Sequence, residues 1–204
     1  MPSFEIEVKF YIKNINKLLK KLSSYTNQYP KKFFEKNILF DTNDFFLQKS
    51  NKILRLRSYS GKNIITLKKS PKQKSENFKI MEETEIFVDS FDKTKKILHE
   101  SGFIKTQIYE KERIIFKKEN LSICVDYLPF GNFLELEGAK NDIIETASQL
   151  DFDWNQRILP SYIKIFKIIK NAHNLTFNDI TFKNFKNTEL ETIEKTILKN
   201  FNIT

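Results

Sequence analysis

The sequence predicts an α+β chain, mainly β, in which eight antiparallel strands close into a barrel flanked by helices. Three observations carry that expectation. Segments of alternating polarity recur along most of the chain, and turn-forming residues separate them in hairpin order. Charged residues also fall two apart on one face of strand after strand. An even number of such strands with a shared charged face favours closure, which removes exposed sheet edges.

The first strand, residues 4–11, sets Phe4, Ile6, Val8 and Phe10 on one face and Glu5, Glu7 and Lys9 on the other. The period then changes over residues 14–25. Ile15, Leu18, Leu19 and Leu22 form a helical stripe, with Asn14 as N-cap. Strands are predicted at 33–40, 53–59, 64–69 and 78–88, separated by Asp41-Thr42-Asn43-Asp44, Ser60-Gly61-Lys62-Asn63 and Ser70-Pro71. A helix at 91–101 is capped by Ser90 and ended by Gly102. The second half repeats the theme with strands at 104–117, 121–127 and 133–138 and helices at 142–150 and 160–170. From about Asn171 the chain turns polar. A last helix follows at 188–201, with Leu190, Ile193, Ile197 and Phe201 as its stripe and Thr188 with Glu191 as a capping box. The expected division is a tunnel domain over 1–170 and a C-terminal helical extension over 171–204.

Composition narrows the function classes. With 204 residues, 40% hydrophobic and 20 of them Phe, the chain has material for a real core and is not disordered. No apolar run is long enough to cross a bilayer and no signal-peptide pattern is present, so no membrane partner and a cytoplasmic setting are expected. Cys124 is the one cysteine, which excludes a disulfide framework and a cysteine metal site. Between Ile123 and Val125 it reads as a barrel-wall residue. A net charge of +9 favours anionic partners without choosing among them.

The positions of the charges choose better. Glu5, Glu7 and Lys9, Arg55 and Arg57, Glu83 and Glu85, Lys111 and Arg113, and Glu135 and Glu137 each lie two apart, with Lys68 and Asp126 as single members. On an open sheet they would be an ordinary solvated face. On a closed one they line a lumen holding both signs, as a metal-bound polyphosphate requires: carboxylates for Mg²⁺ or Mn²⁺, and Arg and Lys for phosphate oxygens. His99 and His173 are isolated, so zinc is not expected, and no glycine-rich phosphate loop competes. Trp154 reads as a packing anchor and Lys17, Lys20 and Lys21 as a solvated helix face. Lys72, Lys74 and Lys79 read as a loop near a tunnel mouth.

Glu5-Ile6-Glu7-Val8-Lys9 resembles the E-x-E-x-K strand of the CYTH superfamily, the triphosphate tunnel metalloenzymes. Further pieces follow in family order: Leu39-Phe40-Asp41-Thr42, Leu54-Arg55-Leu56-Arg57, Thr66-Leu67-Lys68, Glu83-Thr84-Glu85, Glu110-Lys111-Glu112-Arg113, Val125-Asp126 with Gly131 to Glu137, and Ser161-Tyr162. They span about residues 3–170, and the class IV adenylyl cyclase-like group is the nearest in flavour. The resemblance implies an eight-stranded tunnel using Mg²⁺ or Mn²⁺. It implies that Glu5, Glu7, Glu135 and Glu137 hold the metal and, with Lys9, act in catalysis. It also implies that Glu83, Glu85 and Asp126 orient cations or support the metal. Lys9, Arg55, Arg57, Lys68, Lys111 and Arg113 would grip the triphosphate. Met81 departs from the pattern, standing where relatives often carry Arg.

The expected reaction is hydrolysis of a terminal phosphate from tripolyphosphate, ATP or thiamine triphosphate. Cyclisation of ATP to cyclic AMP and pyrophosphate is the alternative, and non-catalytic binding of a phosphorylated ligand or RNA end a second one. Nucleic acid is not expected as the main partner, and homodimerisation is left open.

Overall fold

Alternation along the strands decides the architecture, because each strand has an apolar face to bury and a charged face to enclose. The computed structural model describes residues 3–71 and 75–203. Eight strands are formed: β1 (Ser3–Tyr11), β2 (Phe33–Asp41), β3 (Lys52–Tyr59), β4 (Lys62–Lys69), β5 (Lys79–Val88), β6 (Ile104–Lys118), β7 (Leu121–Leu128) and β8 (Gly131–Glu137). They close in the order β1-β5-β4-β3-β2-β6-β7-β8, every neighbouring pair antiparallel. The predicted barrel is therefore the observed one. Six helices flank it: α1 (Ile15–Thr26), α2 (Phe46–Lys49), α3 (Phe91–Glu100), α4 (Lys140–Gln149), α5 (Tyr162–His173) and α6 (Leu190–Asn200).

The core lies outside the barrel wall, between strands and helices. Val8, Phe10, Ile123, Val125, Leu134 and Leu136 meet Leu18 and Leu22 of α1 and Ile143 and Ala147 of α4. Trp154 packs at the edge of this layer, its ring centroid 5.5 Å from that of Phe78 and tilted to it. A smaller cluster of Ile38, Phe40, Leu56 and Leu98 seats α3. A third packs Phe130, Phe133 and Ile158 against Ile165, Phe166 and Ile169 of α5 and Ile180, Phe185, Ile193 and Ile197 beyond it. The polar C-terminal segment is thus fastened to the barrel. Ile180 donates to the Ile108 carbonyl and accepts from the Glu110 amide, both at 2.8 Å, and adds a parallel bridge to β6.

Local signals held where side-chain chemistry was explicit. Asn14 accepts from the Lys17 amide at 3.0 Å and Ser90 from the Lys93 amide at 3.3 Å. Gly102 takes the positive φ of +90° that ends α3. The capping box did not form. The Thr188 hydroxyl instead donates to the Phe185 carbonyl at 2.8 Å, and α6 starts after Glu189 with no side-chain cap. The segment after β2 is more than a turn, because Asp41 seeds the short helix α2. Ser161 caps α5, so Pro160 stays outside the helix. Lys72 and Lys74 lie outside the described residues, whereas Lys79 belongs to β5. Among the described residues no helix is long and apolar enough to cross a membrane.

Candidate functional site

Register converts the period-two charges into a ring. Glu7 lies opposite Glu137 and Lys9 opposite Glu135 across β1 and β8, Lys68 opposite Glu83 across β4 and β5, and Arg113 opposite Asp126 across β6 and β7. The charged faces therefore look inward together. A cavity of about 750 Å³ runs through the barrel, lined by Glu5, Glu7, Lys9, Arg55, Arg57, Lys68, Glu83, Glu85, Lys111, Arg113, Glu135 and Glu137. Asp126 lies buried behind that lining.

Buried charges persist only when paired, since desolvation would otherwise neutralise them. Lys9, 2% exposed, sits between Glu7 and Glu135, and Lys79 reaches Glu7 at 2.7 Å. Lys68 bridges Glu5 at 2.6 Å and Glu83. Arg113 forks onto both oxygens of Asp126 at 2.5 Å and extends to Glu135 at 2.7 Å. Asp126, fully buried, also accepts from Lys111 at 3.0 Å and from the Tyr162 hydroxyl at 2.8 Å. Arg55 donates to Tyr109 and Thr66, each at 3.2 Å, and Thr66 passes the link to Glu85 at 2.7 Å. The Arg55 Nε is buried with no hydrogen-bond partner among the described residues, a donor left over for an anion.

Titration follows from these contacts. Burial disfavours ionised Glu35 and Glu135, but Lys111 and Arg57 around the first and Lys9 and Arg113 around the second hold both well below the usual carboxylate range. Glu137 is the exception. Burial and the Glu5, Glu135 and Glu7 carboxylates push it up to about 7. Negative charge is in excess where these four meet, and their hard oxygen donors are of the kind Mg²⁺ or Mn²⁺ takes. In the present side-chain arrangement no three such groups among the described residues are gathered at ligand spacing, because Lys9, Lys68 and Lys79 occupy the carboxylates instead. Cys124 is buried, and its thiol is pushed up to about 12 by desolvation, so it is an inert wall residue.

All thirteen residues singled out by sequence reach this interior, with Glu85 at its exposed rim. Met81 is buried opposite Glu5 and brings no charge there. Several partners were missed. Glu35 and Asn37 continue the alternation of β2 and pair with Arg57 at 3.4 and 3.2 Å, a spacing legible in the sequence. Lys79, read as loop, points inward. Tyr109 carries no charge and only its strand parity marked it, whereas Thr66 and Tyr162 stood in the Thr66-Leu67-Lys68 and Ser161-Tyr162 pieces with no role assigned. Lys164, Lys167 and Lys170 of α5 line the cavity as well.

Comparison with known proteins fits this geometry. The CYTH domain family matches residues 3–160. A Methanocaldococcus jannaschii protein named "putative adenylate cyclase" is 31% identical over 148 residues, covering 72% of this chain and 83% of that protein. A Vibrio parahaemolyticus structure of the same name has a TM-score of 0.69 at 20% identity, covering 82% of this chain and 99% of that one. A Hippeastrum "putative adenylyl cyclase", described as revealing a dominant triphosphatase activity, has a TM-score of 0.56 at 17% identity, covering 80% and 95%. At those identities the two structures speak for the fold alone.

Proposed function

The chain belongs to the CYTH domain family, and from that premise we propose that it is a metal-dependent triphosphatase removing the terminal phosphate of a small triphosphate inside the barrel. The observation that carries this reading is the enclosed ring in which Arg55, Arg57, Lys111 and Arg113 face Glu5, Glu7, Glu135 and Glu137. Tripolyphosphate, ATP and thiamine triphosphate share the group that such a ring recognises. Arg55 would bind a phosphoryl oxygen through its unpartnered Nε, and Arg113 and Lys111 would hold their neighbours, while Asp126 and Tyr162 keep both cations aimed. Lys9 and Lys68 would turn from carboxylates to phosphate as the substrate arrives. That exchange, with Lys79 also leaving Glu7, would free Glu5 and Glu7 to hold Mg²⁺ or Mn²⁺ with Glu137 and the Glu135 oxygen that Lys9 leaves, while Arg113 keeps the other; Glu83 and Glu85 would keep Lys68 and Arg55 in place. Bound there, the metal supplies Lewis-acid polarisation of the phosphoryl oxygens. The protein's own contribution is charge placed in advance where it develops during transfer.

Cyclisation of ATP is the second reading, supported by the name of the 31% identical relative. The two part on products. Purified protein with Mg²⁺ or Mn²⁺ is given tripolyphosphate, ATP and thiamine triphosphate in turn. Release of orthophosphate without cyclic AMP is expected; cyclic AMP with pyrophosphate would replace the first reading by the second.

A further inference from the structure

The barrel wall is not backed evenly. Helices α1, α3 and α4 pack on β1, β3, β6 and β8, whereas the outer faces of β4 and β5 have no helix laid along them. Ile65 and Val88 reach the α3 cluster toward one end, and Ile80 reaches the cluster under α1 and α4 toward the other. Between those ends the outward side chains are bare. Leu67, 40% exposed, lies opposite an exposed Thr84, while Ile86 is 58% exposed and Phe4 of β1 is 65% exposed. Glu82 sits between Phe4 and Lys69 across the strands and pairs with Lys69 at 3.3 Å. Glu5, Lys68, Glu83 and Glu85 point the other way, into the tunnel, so a single sheet separates tunnel from solvent here. A sheet with an apolar outer face ordinarily buries it under a second layer, and a contiguous apolar patch left open marks an interaction site.

We propose that this face packs on the same face of a second copy of the chain, forming a small reversible dimer in which each barrel supplies the layer the other lacks. The dimer does not depend on the triphosphate reading. Charge selects the occupant. Copies carrying +9 repel each other over most approaches, but this face adds no surplus cation and holds one ion pair. Turned about a two-fold axis, it sets Glu82 of one copy beside Lys69 of the other while the apolar side chains interdigitate, the self-complementarity that an isologous contact requires. An RNA or an anionic membrane would call for an excess of cations that the face lacks. Area sets the strength. The strands β1, β5 and β4, about 4.8 Å apart with a rise of about 3.4 Å per residue, give roughly 300 Å² in plan. That is small against the roughly 800 Å² per partner of a standard stable interface, so the dimer is weak.

Sedimentation velocity of the full chain, from about 1 µM to about 200 µM, tests this over the range where so small an interface forms. Native protein is expected to move from monomer toward dimer as concentration rises. The Leu67→Asp/Ile86→Asp variant should stay monomeric throughout. Glu82→Lys should weaken the dimer roughly tenfold, because like charges then meet across the axis, and Lys69→Glu/Glu82→Lys should restore it. Native protein that remains monomeric, an aspartate variant that dimerises as native protein does, or a double reversal no tighter than Glu82→Lys overturns the interface. Assembly beyond two copies overturns it too. Native protein that floats with phosphatidylcholine vesicles, where the aspartate variant does not, would give the face to a lipid surface and likewise overturn the dimer. Leu67 and Ile86 are exposed, and thermal melts check that each variant keeps the fold. The charge variants keep the test decisive if the aspartates unsettle the barrel.

Discussion

Asp126 shows what a single carboxylate does when no water reaches it. Both oxygens are used, by Arg113, Lys111 and Tyr162, so each member of the group compensates another's desolvation. Removing it would leave two buried cations under-compensated, Arg113 with Glu135 alone and Lys111 with Glu35 at 3.7 Å. Asp126→Ala is expected to lower unfolding free energy by about 3–5 kcal/mol, read from urea denaturation; a loss under about 1 kcal/mol would mean the network is worth little. Glu137 makes the opposite case. With its carboxyl near 7 against an ordinary 4.5, the folded metal-free protein keeps a proton that the unfolded chain has released. Its stabilising contribution is therefore full at low pH and lost as pH rises through 7. The Tm of metal-free protein should fall between about pH 5 and about pH 8, and Glu137→Gln should flatten that slope. A slope unchanged by the substitution would assign the titration to another group.

Helix α2 shows how one side chain builds an element that periodicity does not announce. Asp41 ends β2, and its oxygens accept the Leu47 and Gln48 amides at 2.8 and 2.9 Å, while Phe45 is held at φ +58°. Asp41→Ala is expected to cost about 1–2 kcal/mol in a thermal or urea melt, the loss of a helix cap. The strands were legible because alternation recurs in most of them, although Ile38-Leu39-Phe40 breaks it in β2 where the register with β6 shifts, and α1 and α3 because their caps are the strongest local signals. Four residues of α2 are too few for any period, and the capping box at Thr188 lost to a nearer acceptor, the Phe185 carbonyl. The same logic divides the site. Paired like charges such as Arg55 with Arg57 stood out, whereas Glu35 with Asn37 mixes a charge and an amide around an outward Lys36. Tyr109 and Tyr162 act through hydroxyls that closure alone brings to Arg55 and Asp126.

At the scale of the whole molecule, closure turns an assortment of surface-type residues into a preorganised interior. Every strand contributes to the ring, so the ring's geometry is only as firm as the barrel's. Apart from the Arg55 Nε and Glu137, the interior charges without a ligand are held in ion pairs of their own, and binding must exchange them: phosphate for the carboxylates at Lys9 and Lys68, and a divalent cation for the lysines at Glu5, Glu7 and Glu135. Neither half of that exchange is favourable alone, because each leaves buried charge uncompensated. The two ligands are therefore expected to stabilise the fold together and only weakly apart. Tripolyphosphate with Mg²⁺ or Mn²⁺ at about a hundred times the dissociation constant should add about 2.7 kcal/mol, or roughly 5–10 °C in Tm for a chain of this size. Differential scanning fluorimetry with each ligand singly, both together, and both with excess chelator checks this. Full stabilisation by tripolyphosphate in the presence of chelator would show that the carboxylates do not hold a metal, leaving the lysines and arginines as the whole of the binding site.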